Sequence, residues 1–233
     1  MDEFFSRSEA LLGAEVMEAL RTKRVIIFGV GGVGSYAAEC LIRTGLTHLT
    51  IVDGDVVQPS NTNRQLPATR ATIGRPKVEV LRERLLEINP DAEIEAINAF
   101  YHADNESFDF RLSTFNFIID AIDSVNDKTD LILNATRARV KIFSSMGAAL
   151  RFDPTQVTTG ELMSIQGDAL AKAVRARMKK LDRFPSKKVR CVYSTEQAQR
   201  CETRGSLMQV TAVFGLTLAS LVIKDLVTGV SVR

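Results

Sequence analysis

Several residue types that mark common functional classes are scarce in this chain of 233 residues. It has no tryptophan, two histidines and three cysteines, which are Cys40, Cys191 and Cys201. No two cysteines form a Cys-X-X-Cys pair, so neither a disulfide framework nor a four-cysteine zinc site is expected. This cysteine usage favours a reducing, cytoplasmic setting.

Strong net charge and a signal peptide are also lacking. The net charge of +2 does not by itself demand an anionic partner. Residues 1–5 show no basic stretch followed by an apolar core, so no signal peptide is expected. The one long uncharged stretch, 207–223, contains Gln209 and Thr211 and is at the lower limit of a membrane span. We therefore predict a buried helix here and no membrane attachment.

Apolar runs and amphipathic stretches alternate over the first 145 residues. They predict strands at 24–28, 49–52, 94–97, 117–121 and 140–145, and helices at 5–22, 34–44, 77–89 and 125–137. The alternation predicts an α/β fold with a Rossmann-like, doubly wound, mainly parallel sheet and helices on both faces.

After residue 147 this alternation ends. Antiparallel additions are predicted at 150–152 and 157–163, followed by a helix at 169–181, a strand at 189–193 and a last helix at 207–227. We expect one domain over 1–233, with a nucleotide-binding core at about 20–150 and an elaborated C-terminal part at about 151–233.

A glycine-rich loop follows the first predicted strand and precedes a predicted helix. Its glycines are Gly29, Gly31, Gly32 and Gly34. Glycines at this spacing permit a tight turn, close approach of the backbone to a phosphate, and close packing of the helix. Because a helix start also offers unpaired N–H groups and a partial positive charge, we expect a phosphate to bind here.

Acidic residues follow the second predicted strand. Asp53 stands 19 residues after Gly34, where a carboxylate can accept hydrogen bonds from ribose hydroxyls. An aspartate that only caps the turn at Gly54 would show the same pattern, and the two roles can coexist. Asp55 is assigned to the same nucleotide site. Up to this point a nicotinamide-dependent dehydrogenase is predicted equally well.

The long polar loop at 54–73 favours a nucleoside triphosphate. Arg64 lies in this loop, and Lys77 starts the next predicted helix. Attack at an α-phosphate moves negative charge onto the departing pyrophosphate, and fixed cations stabilise that charge. Neutral groups in the loop that can orient phosphate or ribose oxygens are Asn61, Asn63 and Gln65.

Two further acids follow the fourth predicted strand, at the edge of the sheet where ligands bind in such folds. A carboxylate there can bind Mg²⁺ together with water and phosphate oxygens, and we assign this role to Asp123 rather than to Asp120. Ser124 is assigned to the nucleotide site. Alternatively, Asp123 and Ser124 only cap the following helix.

These motifs occur together in one known family. The chain resembles the ThiF/MoeB/HesA adenylating enzymes, relatives of the ubiquitin-activating enzymes, in segments 29–34, 53–55, 60–65, 74–77 and 120–123. The resemblance implies binding of ATP and Mg²⁺, with Asp53 at the ribose, Arg64 and Lys77 at the phosphates and Asp123 at the metal. It also implies a homodimer in which Arg7 reaches the triphosphate of the neighbouring protomer.

Two branches of that family compete. One adenylates the C-terminal glycine of a ubiquitin-like sulfur carrier and commonly carries two zinc-binding Cys-X-X-Cys pairs, which this chain lacks. The chain is more similar to the tRNA threonylcarbamoyladenosine dehydratases, in segments 62–65, 120–125, 153–156, 191–196 and 210–215. That resemblance implies adenylation of a threonyl carboxylate next to the anticodon, closure by the carbamoyl oxygen, departure of AMP and overall loss of water. Sulfur-carrier activation remains the alternative.

A basic run supports an RNA substrate. Between residues 175 and 190 the chain has eight lysines and arginines and one acid, Asp182. Such a run is suited to phosphate contacts, although a solvated basic helix and loop would have the same composition. We predict that tRNA phosphates contact Lys179, Lys180, Lys187 and Lys188, and we expect no DNA partner.

The cysteines leave one question open. Some relatives use a cysteine to form a thioester or to take up sulfur, and Cys201 lies in the polar segment 197–205, which is predicted to be a loop near the site. Cys40 and Cys191 fall in a predicted helix and strand, where cysteines behave as small hydrophobic residues. A cysteine desulfurase or sulfur-acceptor system therefore stays open as a partner.

Overall fold

The computed structural model describes residues 3–102, 111–203 and 205–231. Its strands are β1 (Arg24–Phe28), β2 (His48–Val52), β3 (Glu93–Ile97), β4 (Phe117–Asp120), β5 (Lys141–Ser145), β6 (Val157–Glu161) and β7 (Arg190–Ser194). Its α-helices are α1 (Ser6–Leu12), α2 (Ala14–Arg21), α3 (Gly34–Thr44), α4 (Lys77–Ile88), α5 (Val125–Arg137), α6 (Ala169–Leu181) and α7 (Met208–Ser231).

All seven strands form one sheet in the order β3-β2-β1-β4-β5-β7-β6. Neighbouring strands are parallel except β6 and β7, which pair antiparallel from Val157 opposite Ser194 to Glu161 opposite Arg190. The predicted Rossmann-like, mainly parallel sheet with an antiparallel C-terminal addition is therefore confirmed. The strand order reverses between β1 and β4, which makes their carboxyl ends the expected ligand-binding crevice.

Both faces of the sheet are covered by helices, as the side chains of β1 show. Val25 and Ile27 belong to the core that also contains residues of α3 and α7. Ile26 and Phe28 belong to the core on the other face, with residues of α5 and α6. A strand buried on both faces has an apolar run instead of an alternating pattern, and each such side chain contributes about 1.5–3 kcal/mol to folding.

Two local predictions were wrong. The helix predicted at 5–22 is divided into α1 and α2 at Gly13, whose φ of 81° lies outside the helical range. The segment 150–152 is not a strand, because Leu150 adopts a left-handed φ of 63° and the Arg151 guanidinium turns inward to donate to the Gly147 carbonyl and to Asp168. Gly13 and Leu150 both break a hydrophobic pattern that would otherwise continue.

Helix α7 is long and apolar enough to cross a membrane by length and composition alone. In this structure it packs on the sheet, with Val210, Phe214 and Leu218 fully buried. A Cβ at Gly215 would lie 2.2 Å from the carbonyl oxygen of Val33, so α7 passes very close to the start of α3. The buried helix predicted at 207–227 is present and helps to fix the glycine loop.

Candidate functional site

The glycine loop lies at the reversal point of the strand order. Gly29 has a φ of 85°, and a Cβ there would lie 2.7 Å from the carbonyl oxygen of Ala121, which follows β4. Gly34 starts α3, and a Cβ there would lie 1.8 Å from the carbonyl oxygen of Gly29. No side chain caps the start of α3. The loop therefore presents a helix N-terminus to the crevice, which is suited to an anion.

Asp53 joins the glycine loop to the end of β2. One carboxylate oxygen accepts the N–H of Val30 at 2.8 Å, and the other accepts the N–H of Asp55 at 2.9 Å. Burial raises the pKa of Asp53, although the nearby Lys77 ammonium and these two N–H groups partly oppose the increase. Each oxygen keeps a lone pair for another donor. Asp53 therefore both fixes the loop and offers an acceptor in the crevice.

Lys77 and Asp55 form an ion pair beside this carboxylate. The Lys77 ammonium donates to an Asp55 carboxylate oxygen at 2.7 Å, and the Lys77 N–H donates to the Asp55 carbonyl at 3.0 Å. Lys77 is 5% exposed, whereas Asp55 is exposed. The structure thus places two of the predicted residues in direct contact, with the lysine pointing inward at the start of α4.

Arg64 lies against the glycine loop. A Cβ at Gly32 would lie 3.2 Å both from Cγ of Arg64 and from Oγ1 of Thr211 in α7. The Arg64 guanidinium donates to the Ser60 carbonyl at 2.9 Å and to the Asn63 side-chain oxygen at 2.8 Å. Its contacts are therefore neutral, and its charge has no acidic partner among the residues that the structure describes.

The other polar residues of this loop have different environments. The Asn63 side-chain nitrogen donates to the Ser206 carbonyl at 2.8 Å, which ties the loop to the approach to α7. Asn61 is buried and its side-chain oxygen accepts the Gln58 N–H at 3.0 Å, so it holds the turn. Gln65 is buried with its Nε2 toward Gly31, and its Oε1 has no hydrogen-bond partner among described residues.

Asp120 and Asp123 lie at the carboxyl end of β4 in opposite environments. Asp120 is fully buried, and one of its oxygens accepts from Lys128 at 2.7 Å and from the Ser144 hydroxyl at 2.6 Å. Its other oxygen accepts the Ile122 N–H at 3.1 Å. Asp123 is exposed, and the Ser124 hydroxyl oxygen accepts the Asp127 N–H at 3.5 Å as the cap of α5. The buried acid therefore shapes the turn that presents the exposed one.

Two buried cations of this edge escaped the sequence analysis. Lys128 stands in the apolar stripe of α5 with Leu131, Ile132 and Ala135, a position where a lysine needs a buried partner. Arg151 donates to Asp168 at 3.3 Å and to the Gly147 carbonyl at 2.6 Å. The lysine inside an apolar stripe was a usable signal. No pattern in the neighbouring sequence indicated that Arg151 is buried, because its carboxylate partner Asp168 is 17 residues away.

The remaining predicted residues do not gather at the glycine loop of the same chain. Arg7 is exposed on α1, and Lys179, Lys180, Lys187 and Lys188 are exposed near the start of β7. Because the glycine loop follows the end of β1 and β1 is parallel to β7 through β4 and β5, these lysines lie at the other edge of the sheet. The lysines predicted to contact RNA therefore lie apart from the glycine loop.

The cysteines differ as predicted from their elements. Cys191 is fully buried in β7, and burial raises the pKa of its thiol. Burial also raises the pKa of Cys40 in α3. Cys201 is exposed. Within 3–102, 111–203 and 205–231, no three histidine, cysteine or acidic side chains are grouped as a metal site.

A glycine-rich loop before a helix at the reversal of a parallel sheet, with an acid after β2, is typical of nucleotide-binding proteins of the Rossmann-like class. The chain belongs to the ThiF family, whose model matches residues 5–231.

Relatives and solved structures agree with this assignment. The chain is 39% identical over 178 residues to the tRNA threonylcarbamoyladenosine dehydratase of Bacillus subtilis, covering 76% of this chain and 69% of that protein. It matches the Escherichia coli tRNA N6-threonylcarbamoyladenosine dehydratase TcdA, in complex with ATP, with a TM-score of 0.90 and 32% identity, covering 99% and 96% of the two chains. The molybdopterin-synthase adenylyltransferase of Salmonella typhimurium is 35% identical over 139 residues, or 60% of this chain and 54% of that protein.

Proposed function

We propose that this protein is an ATP-dependent tRNA threonylcarbamoyladenosine dehydratase, which activates the threonyl carboxylate by adenylation. The observation that carries the proposal is the meeting of Gly32, Arg64 and Thr211 at the sheet reversal, in a fold that matches the ATP complex of a dehydratase over 99% of the chain. The match to the molybdopterin-synthase adenylyltransferase is shorter. The Cys-X-X-Cys pairs that are common in the sulfur-carrier-activating branch are absent from the sequence.

The residues of the crevice divide the work of holding ATP. Asp53 accepts from the ribose, and the N–H groups of Gly31, Gly32 and Gly34 hold phosphate oxygens at the start of α3. Arg64 and Lys77 stabilise the charge that the departing pyrophosphate takes up. Asn61, Asn63, Gln65 and Ser124 line or support the same crevice, and Asp55 keeps Lys77 oriented through their 2.7 Å contact.

The reaction needs positioning more than protein nucleophiles. A carboxylate oxygen of the substrate attacks the α-phosphorus, and pyrophosphate leaves. The carbamoyl group then closes on the activated carbonyl, and AMP leaves with the former carboxylate oxygen while one proton is released. Fixed N–H groups and the Arg64 cation stabilise both charge shifts because they need no reorganisation during the reaction.

Asp123 fits a magnesium ion that is held mainly by the nucleotide. Its carboxylate is exposed at the carboxyl edge, while the neighbouring Asp120 is fully engaged with Lys128 and Ser144. Mg²⁺ is commonly bound by one or two carboxylates plus phosphates and water, which agrees with the lack of a larger acidic group in the described residues. When bound, the ion would neutralise phosphate charge.

A homodimer follows from the same proposal. Helix α1 carries Arg7, and its surroundings expose Phe4 and Leu11 at 90% and 86%. Exposed apolar side chains next to a cation suit an interface that delivers Arg7 to the triphosphate of a second copy. Mixing Arg7→Ala protein with Arg64→Ala protein should then restore part of the activity. In a dimer with one copy of each variant, one of the two sites would have both arginines.

The tRNA phosphates are proposed to contact Lys179, Lys180, Lys187 and Lys188, all exposed. Neutralising the four lysines should weaken tRNA binding and flatten its dependence on salt. Unchanged binding would remove this part of the proposal.

A cytoplasmic location, one adenylating domain over residues 1–233 and the absence of membrane attachment complete the proposal. They agree with the three unpaired cysteines and with the packing of α7 on the sheet. A cysteine desulfurase or sulfur acceptor stays the least supported partner, because only Cys201 is an exposed thiol.

The test is direct. The protein is incubated with Mg-ATP and tRNA that carries threonylcarbamoyladenosine. The tRNA is then digested, and the masses of its nucleosides are measured by mass spectrometry. Loss of one water that depends on ATP and disappears in Arg64→Ala would support the dehydratase. An unchanged nucleoside with a protein that binds ATP would favour activation of a ubiquitin-like sulfur carrier instead.

A further inference from the structure

A basic groove lies at the edge of the sheet where β5 and β7 begin. Its volume is about 610 Å³, and its lining includes Arg137, Arg139, Arg183, Phe184, Ser186 and Lys187, together with the apolar Leu133. We call it the amino-edge groove. The adenylation chemistry described above uses none of these residues, and of them only Lys187 is among the proposed tRNA-phosphate contacts.

The groove is built from two segments that are distant in sequence. Arg137 ends α5 and Arg139 precedes β5, whereas Arg183 and Lys187 lie between α6 and β7. They meet because β5 and β7 are parallel neighbours. A strand of five residues spans about 17 Å, so the groove is roughly that distance from the edge that holds the glycine loop.

Its positive charge is not compensated within the described residues. Arg137, Arg139, Arg183 and Lys187 have no ion pair there, and no acid lines the groove. The contrast with a neighbour is direct, since Arg177 on α6 pairs with Asp130 at 3.1 Å. Four unpaired cations around one depression make it a strong attractor for an anion with several charges.

The walls of the groove are held in place by hydrogen bonds. The Ser186 hydroxyl donates to the Thr136 carbonyl at 2.7 Å, and the Arg139 N–H donates to the same carbonyl at 3.2 Å. The Arg183 N–H donates to the Met178 carbonyl at 3.0 Å. Arg139 keeps a left-handed φ of 62°. These hydrogen bonds hold the backbone that carries the arginines without help from a ligand, which favours binding because less of the groove has to be arranged on association.

An aromatic side chain projects from the same wall. Phe184 is 52% exposed and follows Arg183 directly in the chain. Cations that follow a phosphate backbone, combined with an exposed aromatic ring on which a base stacks, are the usual composition of an RNA-binding surface. A small phosphate would need neither two cationic segments nor the ring.

We propose that the amino-edge groove binds the sugar-phosphate backbone of the RNA substrate, with Arg137, Arg139 and Arg183 at phosphates and Phe184 against a base. The proposal rests on the proposed tRNA substrate. It adds that the RNA contacts the protein at two places, since the reacting nucleotide lies at the opposite edge of the sheet. A structured RNA is large enough to reach both.

The test compares two double variants with the same loss of charge. Arg137→Gln/Arg183→Gln removes two cations from the groove, and Lys172→Gln/Lys224→Gln removes two exposed cations elsewhere. The affinity for tRNA carrying threonylcarbamoyladenosine is measured between low and physiological salt. The groove variant should bind about tenfold more weakly, with a salt slope reduced by about 1.4–1.8. The control variant should retain the slope of the unmodified protein.

Thermal unfolding and ATP affinity, measured on both variants, verify that the fold and nucleotide site are intact. Equal tRNA affinity and equal salt dependence of binding in the two variants would contradict the proposal that the amino-edge groove binds RNA. Phe184→Ala should lower tRNA affinity without changing the slope, because it removes no charge, and unchanged affinity would exclude base stacking.

The same data separate this proposal from the dehydratase proposal. A protein that binds tRNA without converting its nucleoside would contradict the dehydratase, while the groove variants would still decide the binding surface. A protein that converts tRNA, with a groove variant indistinguishable from the control, would contradict the groove alone. Failure of the unmodified protein to bind tRNA would overturn both.

Discussion

The two edges of the sheet use charge differently. At the carboxyl edge, the buried cations Lys77, Lys128 and Arg151 each contact a carboxylate, at 2.7, 2.7 and 3.3 Å. At the amino edge, the cations of the groove have no ion pair among the described residues. Buried charges must be paired, so the first set fixes geometry, whereas exposed unpaired charges are free to hold a ligand.

Arg64 is the exception that gives the carboxyl edge its chemistry. It lies among paired charges, yet its own hydrogen bonds go to a carbonyl and an amide. A cation that is positioned by neutral groups keeps its full charge for a phosphate. The comparison therefore predicts that the fully buried pair of Lys128 with Asp120 controls stability, whereas the unpaired Arg64 controls rate. Lys77 combines the two roles, because its carboxylate partner Asp55 is exposed.

The largest effect is expected from breaking the most buried pair. Lys128→Met should lower the free energy of unfolding by about 3–5 kcal/mol, because Asp120 would remain as a buried, uncompensated carboxylate. Urea unfolding measures this change. The double variant Lys128→Met/Asp120→Asn should recover part of the loss. A loss below about 1 kcal/mol in the single variant would contradict the role of the pair.

Removing the unpaired Arg64 is expected to change the activation free energy of the reaction by a similar amount. Arg64→Ala should reduce the single-turnover rate by about 10²–10³, since it removes one fixed donor to developing charge. The stability should change by less than about 1 kcal/mol, because the lost hydrogen bonds are exposed. Arg70→Ala, an exposed arginine of the same loop, is the matched control. Equal rates in the two variants would contradict the assignment.

A smaller effect on stability and on ATP affinity is expected when the pH is lowered through the range in which Asp53 becomes protonated. Because burial raises the pKa of Asp53 in the folded protein, its stabilising contribution is present below the ordinary aspartate pKa and is lost as pH rises through the raised one. ATP affinity should change in the opposite direction, falling about tenfold on acidification, because a protonated Asp53 accepts fewer hydrogen bonds.

The contribution of Asp53 is separated from that of other acidic residues by comparison with a variant that lacks this carboxylate. The unfolding free energy and ATP affinity of the unmodified protein are compared with those of Asp53→Asn across the acidic range. The two differences should change with opposite signs. Differences that do not vary with pH would show that Asp53 does not titrate as described.

The smallest effect is expected at Cys201. This thiol is exposed, and no ion pair or hydrogen bond of its side chain occurs within the described residues. Cys201→Ser should keep dehydration within about twofold, since the proposed reaction forms no thioester. Loss of activity, with ATP binding retained, would instead assign a covalent step to this cysteine.

The features that could be predicted from the sequence are those formed by residues close together in the chain. The loop at Gly29–Gly34 and Asp53 were recognisable because strand, turn and helix follow one another within a few residues. Arg151 with Asp168, and Lys128 with Ser144, pair over 17 and 16 residues and become visible only after strands align. The amino-edge groove depends on the pairing of β5 with β7, which no local pattern specifies.

The most direct test of the account follows one oxygen atom. The tRNA is prepared with ¹⁸O in the threonyl carboxylate and incubated with Mg-ATP and the protein. Adenylation at the carboxyl edge predicts that the label appears in AMP, with unlabelled pyrophosphate as the second product. Label in inorganic phosphate together with ADP would mean attack at the γ-phosphate, and would contradict the account.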